Sequence, residues 1–237
     1  MTSDSDRGIY HYLLNGEPTG IEERWQRHRQ PSGDWLVNSS RRARGNHMEV
    51  DAWMSAGRVS RFELSWAPEE GEPVRAAYRL GDGAIKVSRH AGGHDLQQHE
   101  VSFPTATAAP LLSPLMRVFA GPVIARLLEA GGQGTVVVPN IDQPTATESL
   151  LQPRLSTRRA RLLETGVEVP GMGEDWSEPT PGCRLCEYQG DQYGPEARFW
   201  LAEDDMLVRY QWRQSPTELW DVRLQRLGKE GGVGSRG

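Results

Sequence analysis

From Ile9 to His90, apolar and polar residues alternate in short segments separated by turn residues, a period of two that predicts an antiparallel meander. Tyr10, Tyr12 and Leu14 alternate up to Asn15-Gly16, and after Gly20 a second strand carries Ile21, Glu23 and Trp25. Ser32-Gly33-Asp34 turns the chain into Trp35, Val37 and Ser39. Met48, Val50, Ala52 and Met54 fall on one face of the next strand, and Ala56-Gly57 is a tight turn into Val59 to Trp66. Pro68 to Pro73 reads as a loop and Val74 to Leu80 as a strand, and Gly81-Asp82-Gly83 is a hairpin signal before Ala84 to Arg89. These segments make about seven strands, at the spacing of a sandwich or barrel.

The pattern changes at Leu111. Ser113-Pro114 fits a helix N-cap followed by proline at the first helical position, and Gly121-Pro122 reads as the end of that helix and the start of another that stops at Gly131-Gly132. Leu115, Met116 and Phe119, then Val123, Ile124, Leu127 and Leu128, give each helix one apolar stripe, which must pack on the sheet. Strand signals resume at Thr135 to Ile141 and Leu155 to Leu163, and the Pro-, Gly- and acid-rich stretch from Gly166 to Gly182 reads as a long surface loop. Strands then follow at Cys183 to Tyr188, Ala197 to Leu201, Met206 to Arg213 and Leu219 to Leu227. The pattern therefore predicts one mainly β domain over residues 1–228, an antiparallel sheet with a two-helix insert at about 111–131 packed on it, and a disordered tail at 229–237.

Charge narrows the function classes. A net charge of −5 excludes general binding to nucleic acid or anionic membranes, which draws on surplus Lys and Arg. Two basic clusters, Arg41, Arg42 and Arg44, and Arg154, Arg158, Arg159 and Arg161, read as strand residues lining a solvated face. The amino terminus has neither a basic nor an apolar leader region, which predicts a cytoplasmic location, and Leu111 to Ala130 is too broken by Pro114, Gly121, Pro122 and charges to span a membrane.

The chain resembles the LolA/LolB-like superfamily of lipoprotein-carrier half-barrels. The resemblance rests on the opening Tyr10-His11-Tyr12-Leu13-Leu14-Asn15-Gly16 and the closing Phe199-Trp200-Leu201, Leu207-Val208-Arg209-Tyr210 and Trp220-Asp221-Val222-Arg223-Leu224. It implies a curved antiparallel sheet, a half-barrel with the two-helix insert on its concave face, enclosing a pocket for acyl chains, hence an apolar or amphipathic small-molecule ligand. It brings no catalytic residue with it.

Local chemistry is sparse. Cys183 and Cys186 form a lone Cys-x-x-Cys without the second pair a zinc site needs, and read as plain thiols. His90, His94 and His99 are poorly spaced for a metal, with Gly92-Gly93 as a hairpin tip between them, and His11, His28 and His47 read as strand surface residues. Gly232 to Gly237 matches Gly-x-Gly-x-x-Gly but has no helix after it. The adjacent carboxylates Glu22-Glu23, Glu69-Glu70 and Asp204-Asp205 face opposite ways in a strand and are read as solvated. No cofactor is implied. The eight tryptophans suit a core or a cavity wall, and alternation makes Tyr78, Tyr210, Trp212 and Trp220 the candidate ligand-binding residues. Three readings stay open: a small-molecule binder, a cofactor-free isomerase, cyclase or lyase using a Tyr, His or Asp in the same cavity, and a structural or interaction domain with a filled core.

Overall fold

The computed structural model describes residues 5–43, 45–104, 108–171, 179–190 and 193–227; Arg44, Trp176, the stretch 172–178 of the expected long loop and the expected tail at 229–237 lie outside them. Seven strands follow one another as an antiparallel meander: β1 (Ser5–Leu14), β2 (Glu17–Arg29), β3 (Trp35–Ala43), β4 (Asn46–Ser55), β5 (Arg58–Pro68), β6 (Val74–Leu80) and β7 (Ala84–Ala91). The alternation that predicts them is the alternation of burial: Met48, Val50, Ala52 and Met54 are all buried while Glu49, Asp51 and Ser55 are exposed. One face of each strand packs inward and the other meets water. Short strands β8 (His94–Asp95) and β9 (His99–Ser102) pair with β7, and β10 (Leu111–Leu112) precedes a 3-10 turn (Arg117–Phe119) and α1 (Ala120–Glu129).

A second meander follows: β11 (Gln133–Pro139), β12 (Pro153–Val169), β13 (Thr180–Gln189), β14 (Arg198–Leu201), β15 (Leu207–Ser215) and β16 (Glu218–Arg226). Strands β16 and β1 pair antiparallel from Gly8 with Arg226 to Leu14 with Trp220, which fuses both meanders into one sheet. Its path runs from β10 to β8 without closing by hydrogen bonds. The sheet curls instead. β10 packs against β5, and the segment after β11 lies over β6 and β7, where the Tyr78 hydroxyl donates to the Leu151 carbonyl at 2.7 Å and Arg89 donates to the Leu150 and Thr147 carbonyls at 2.9 and 2.7 Å. The β10–β11 edge therefore tucks inside the opposite edge rather than pairing with it.

The expected pair of helices is a single α-helix. Leu115 has a positive φ of 66° and Met116 an extended backbone, so no helix begins at Ser113-Pro114. Gly121 and Pro122 do not stop a helix; they lie in the first turn of α1, where a proline removes an N–H that has no intrahelical acceptor anyway. The end at the glycine pair stands as expected: Gly132 N–H donates to Leu127 O at 2.7 Å and Gly131 N–H to Leu128 O at 3.2 Å, with Gly131 left-handed at φ 86°. Val123, Ile124 and Leu127 are buried, and α1 packs on β5, β11, β12 and β15 within the curl. Arg126 reaches Asp205 in the β14–β15 turn at 3.8 Å, so α1 fills that end. Among the described residues no helix is long and apolar enough to cross a membrane.

Two further readings change. The loop expected from Gly166 to Gly182 is shorter at both ends, because β12 runs to Val169 and β13 begins at Thr180. His11 is not a surface residue: it is buried, with Nε2 2.9 Å from Gln225 Oε1 and Nδ1 3.7 Å from Glu22. Long polar side chains cover the outer face of β1 where β2 and β16 flank it.

Charge pairs secure that outer face. Asp221 accepts from Arg209 at 2.9 and 2.7 Å and from Arg223 at 3.1 and 2.9 Å. Burial pushes its carboxyl upward, but the bonds from Arg209 and Arg223 outweigh this and hold it below the usual carboxylate range. Such a depressed group contributes stability above the unfolded value of about 3.9, which is lost as pH falls through the folded value. Urea midpoints should therefore drop below pH 4 in the wild type, and Asp221→Asn should be destabilised at pH 7 but show a shallower acid dependence. Parallel midpoint curves for both proteins between pH 3 and 7 would refute this.

Candidate functional site

The curl has a filled end and an open one. The connections β1–β2, β3–β4, β11–β12 and β15–β16 gather at the open end, where the Asn15 side chain ties two of them together by donating to Thr217 O and accepting from Leu219 N–H at 2.8 and 2.9 Å. A cavity of about 390 Å³ opens among them, within the size range of small-molecule pockets. A groove of about 440 Å³ runs elsewhere over Trp53, Arg61, Glu63, Arg79, Lys86 and Glu100. Its charged walls alternate in sign on the outer face, which suits solvation better than an apolar ligand.

Aromatic side chains of β13 to β16 build one wall of the inner cavity. Tyr210 stacks on Phe199 with centroids 5.3 Å apart and planes 12° from parallel, and Tyr193 meets Trp212 edge-on at 5.5 Å. Trp212 and Trp220 are cross-strand neighbours, both half-buried, so their faces form the accessible part of the wall. The structure thus brings together Tyr210, Trp212 and Trp220 among the four candidate residues. Tyr78 is elsewhere: it faces inward as alternation predicts, but it stacks on Phe62 at 4.4 Å beneath the segment that follows β11. A long-range cover of that kind leaves no local pattern.

The floor is polar and was not foreseen. Glu23 is fully buried, which corrects its reading as a solvated carboxylate. Its Oε1 accepts the backbone N–H groups of Arg117 at 2.6 Å and Val118 at 3.2 Å, and its Oε2 accepts the Tyr12 hydroxyl at 3.1 Å. A carboxylate on β2 therefore caps the 3-10 turn, whose own N-cap residue, Met116, supplies no side-chain acceptor. Arg117 donates from Nε to the Tyr12 hydroxyl at 3.3 Å and from Nη1 to the Tyr193 hydroxyl at 2.7 Å, and its guanidinium lies 4.8 Å from the Tyr210 ring centre. Burial raises the Glu23 pKa above its ordinary value, with Arg41, Arg117 and the two backbone N–H groups drawing it part of the way back. The signal was present in the sequence: Glu23 occupies the same strand face as Trp25, which is also buried.

The basic clusters divide by strand parity. Arg42, Arg159 and Arg161 are exposed as expected, whereas Arg41, Arg154 and Arg158 line the cavity, which corrects the solvated-face reading for these three. Arg154 pairs with Asp142 at 2.7 Å, and Arg158 donates to Gly190 O at 2.7 Å with its guanidinium 5.7 Å from the Tyr188 ring. Cys183 and Cys186 are buried and not joined to each other, and burial pushes the Cys186 thiol up to about 11, away from thiolate chemistry at neutral pH. No cluster of three His, Cys, Asp or Glu side chains able to hold a metal occurs among the described residues; His90 pairs instead with Asp95 at 2.6 Å across the β7–β8 hairpin.

Neither a family model nor a curated protein matches the sequence. Among solved structures the chain is similar to a β-barrel-like protein of domain of unknown function DUF1849 from Brucella abortus, with a TM-score of 0.55 and 12% identity over 93% of this chain and 95% of that one. At that identity the likeness is one of fold, and it supports a β-barrel-like architecture without singling out the LolA/LolB carriers.

Proposed function

We propose that the chain binds a hydrophobic or amphipathic small molecule in the cavity at the open end of the curl. The observation that carries this reading is the accessible Trp212–Trp220 pair set into an aromatic wall around about 390 Å³ of space. Large apolar rings beside a polar floor are what such a ligand requires, and they offer far more than a filled core needs. The acyl-chain ligands implied by the LolA/LolB resemblance fall within this class. Catalysis is the less favoured use of the same space. Glu23 is enclosed by three donors and cannot reach a substrate, and the one carboxylate lining the cavity among the described residues, Asp142, is held by Arg154.

Fluorescence titration with N-phenyl-1-naphthylamine, a neutral apolar probe, tests the reading. Saturable enhancement is expected, together with quenching of tryptophan emission. Trp212→Ala should weaken the affinity about tenfold, the effect of losing one aromatic contact, while leaving the melting temperature within a few degrees. Absence of saturable binding, or equal binding by Trp212→Ala, would overturn the assignment.

A further inference from the structure

Among the described residues the cavity is lined by four arginines, of which Arg154 is held by Asp142 and Arg158 by the Gly190 carbonyl, while Arg41 and Arg117 stand at the floor. This is a local reversal in a chain whose net charge is −5. Glu23, below the floor, has both oxygens engaged by the Tyr12 hydroxyl and the backbone N–H groups of Arg117 and Val118. Arg117 donates from Nε and Nη1 to tyrosine hydroxyls. Glu23 is the buried carboxylate whose charge both Arg41 and Arg117 offset, but its oxygens are taken by other donors, so among the described residues neither guanidinium is hydrogen-bonded to a carboxylate. Guanidinium forks set at the base of an aromatic wall match a planar oxyanion attached to an apolar body.

Resting on the binding reading above, we infer that the ligand is an amphipathic anion, an apolar chain or ring ended by a carboxylate or phosphate, whose head is held by Arg41 and Arg117 and whose body lies along Trp212 and Trp220. The two ends are recognised by different means. The apolar body supplies affinity through burial, while the head fixes orientation and excludes cations by charge.

Competition against N-phenyl-1-naphthylamine separates these contributions. Dodecanoate, dodecyl phosphate, dodecanol and dodecylammonium share one tail and are used below their micelle concentrations, with inorganic phosphate as the head alone. Dodecanoate and dodecyl phosphate are expected to displace the probe at least ten times more tightly than dodecanol, with dodecylammonium weakest and inorganic phosphate without effect at the same concentrations. Arg41→Gln, which keeps a polar side chain but removes the charge, should reduce the advantage of the anions several-fold and weaken dodecanol far less. Equal affinity for dodecanoate and dodecanol overturns the anion assignment and leaves the binding reading standing. Displacement by inorganic phosphate alone overturns the amphipathic ligand in favour of a small oxyanion. If neither the probe nor any of the four amphiphiles binds, the binding reading itself fails.

Discussion

Gly121→Ala is expected to destabilise the protein by about 2–4 kcal/mol, although the same exchange in a solvent-exposed helix stabilises by about 1 kcal/mol. Gly121 sits in the first turn of α1 where the helix meets the β14–β15 turn. A Cβ at this position would run into the Asp205 carbonyl oxygen and lie 2.7 Å from the Leu207 nitrogen. Both obstacles are backbone, so no rotamer change relieves them; helix and strand must separate. Separation would also disturb the Tyr10 hydroxyl, which donates to the Leu207 carbonyl at 2.8 Å, and the ion pair of Arg126 with Asp205. For a chain of this length the melting temperature should fall by roughly 5–15 °C. Thermal denaturation followed by circular dichroism reads this directly, with Ala120→Gly as the control that pays helix entropy without a clash. A Gly121→Ala protein as stable as wild type would show that α1 does not press on β15 as described.

The same glycine explains why the helical insert was misread. In isolation Gly121-Pro122 is a strong break, because both residues are poor in helix interiors. The local rule starts a helix at Gly121-Pro122, as observed, but it also ends one there that does not exist, and it does not know that the neighbouring strand demands a residue without a side chain. The meander from β1 to β7, by contrast, was legible, because each strand has one wet face and one dry face and alternation records that difference. Alternation also placed Tyr210, Trp212 and Trp220 on one inward face, where the cavity is found. It set Tyr78 inward too, as observed, but not in the cavity, since the segment after β11 covers it and a contact between residues 78 and 151 is set by the curl of the whole sheet. Arg41 and Arg158 were missed for another reason. A cluster of arginines looks like one charged unit in the sequence, whereas in a strand the side chains alternate and only every second one can face inward.

Glu23 shows the same lesson energetically, because the adjacent-carboxylate rule correctly set Glu22 and Glu23 on opposite faces without asking what the inner one meets. Glu23→Ala should lower stability by about 3–5 kcal/mol, since it strips the acceptor from two backbone N–H groups and a buried hydroxyl. It also leaves Arg117 and Arg41 without the one buried carboxylate near them. Glu23→Gln should behave differently: its carbonyl oxygen can accept both N–H groups, and its amide can donate to the Tyr12 oxygen. The pH dependence separates the two effects. Burial raises the folded pKa of Glu23, so its contribution to stability is fully present below the unfolded value of about 4.3 and is diminished as pH rises through the folded value. The stability of Glu23→Gln relative to wild type should therefore rise with pH across that window, opposite in sense to the acid loss expected from Asp221. Melting temperatures of wild type, Glu23→Gln and Glu23→Ala between pH 4 and 8 test both statements. If Glu23→Ala melts within 2 °C of wild type, Glu23 does not secure the 3-10 turn, and if the Gln difference is flat with pH, the buried carboxyl carries no ionisation cost. The expected pattern, a tolerated Gln and a damaging Ala, would locate the importance of Glu23 in its acceptor geometry: it holds the turn that delivers Arg117 to the cavity floor.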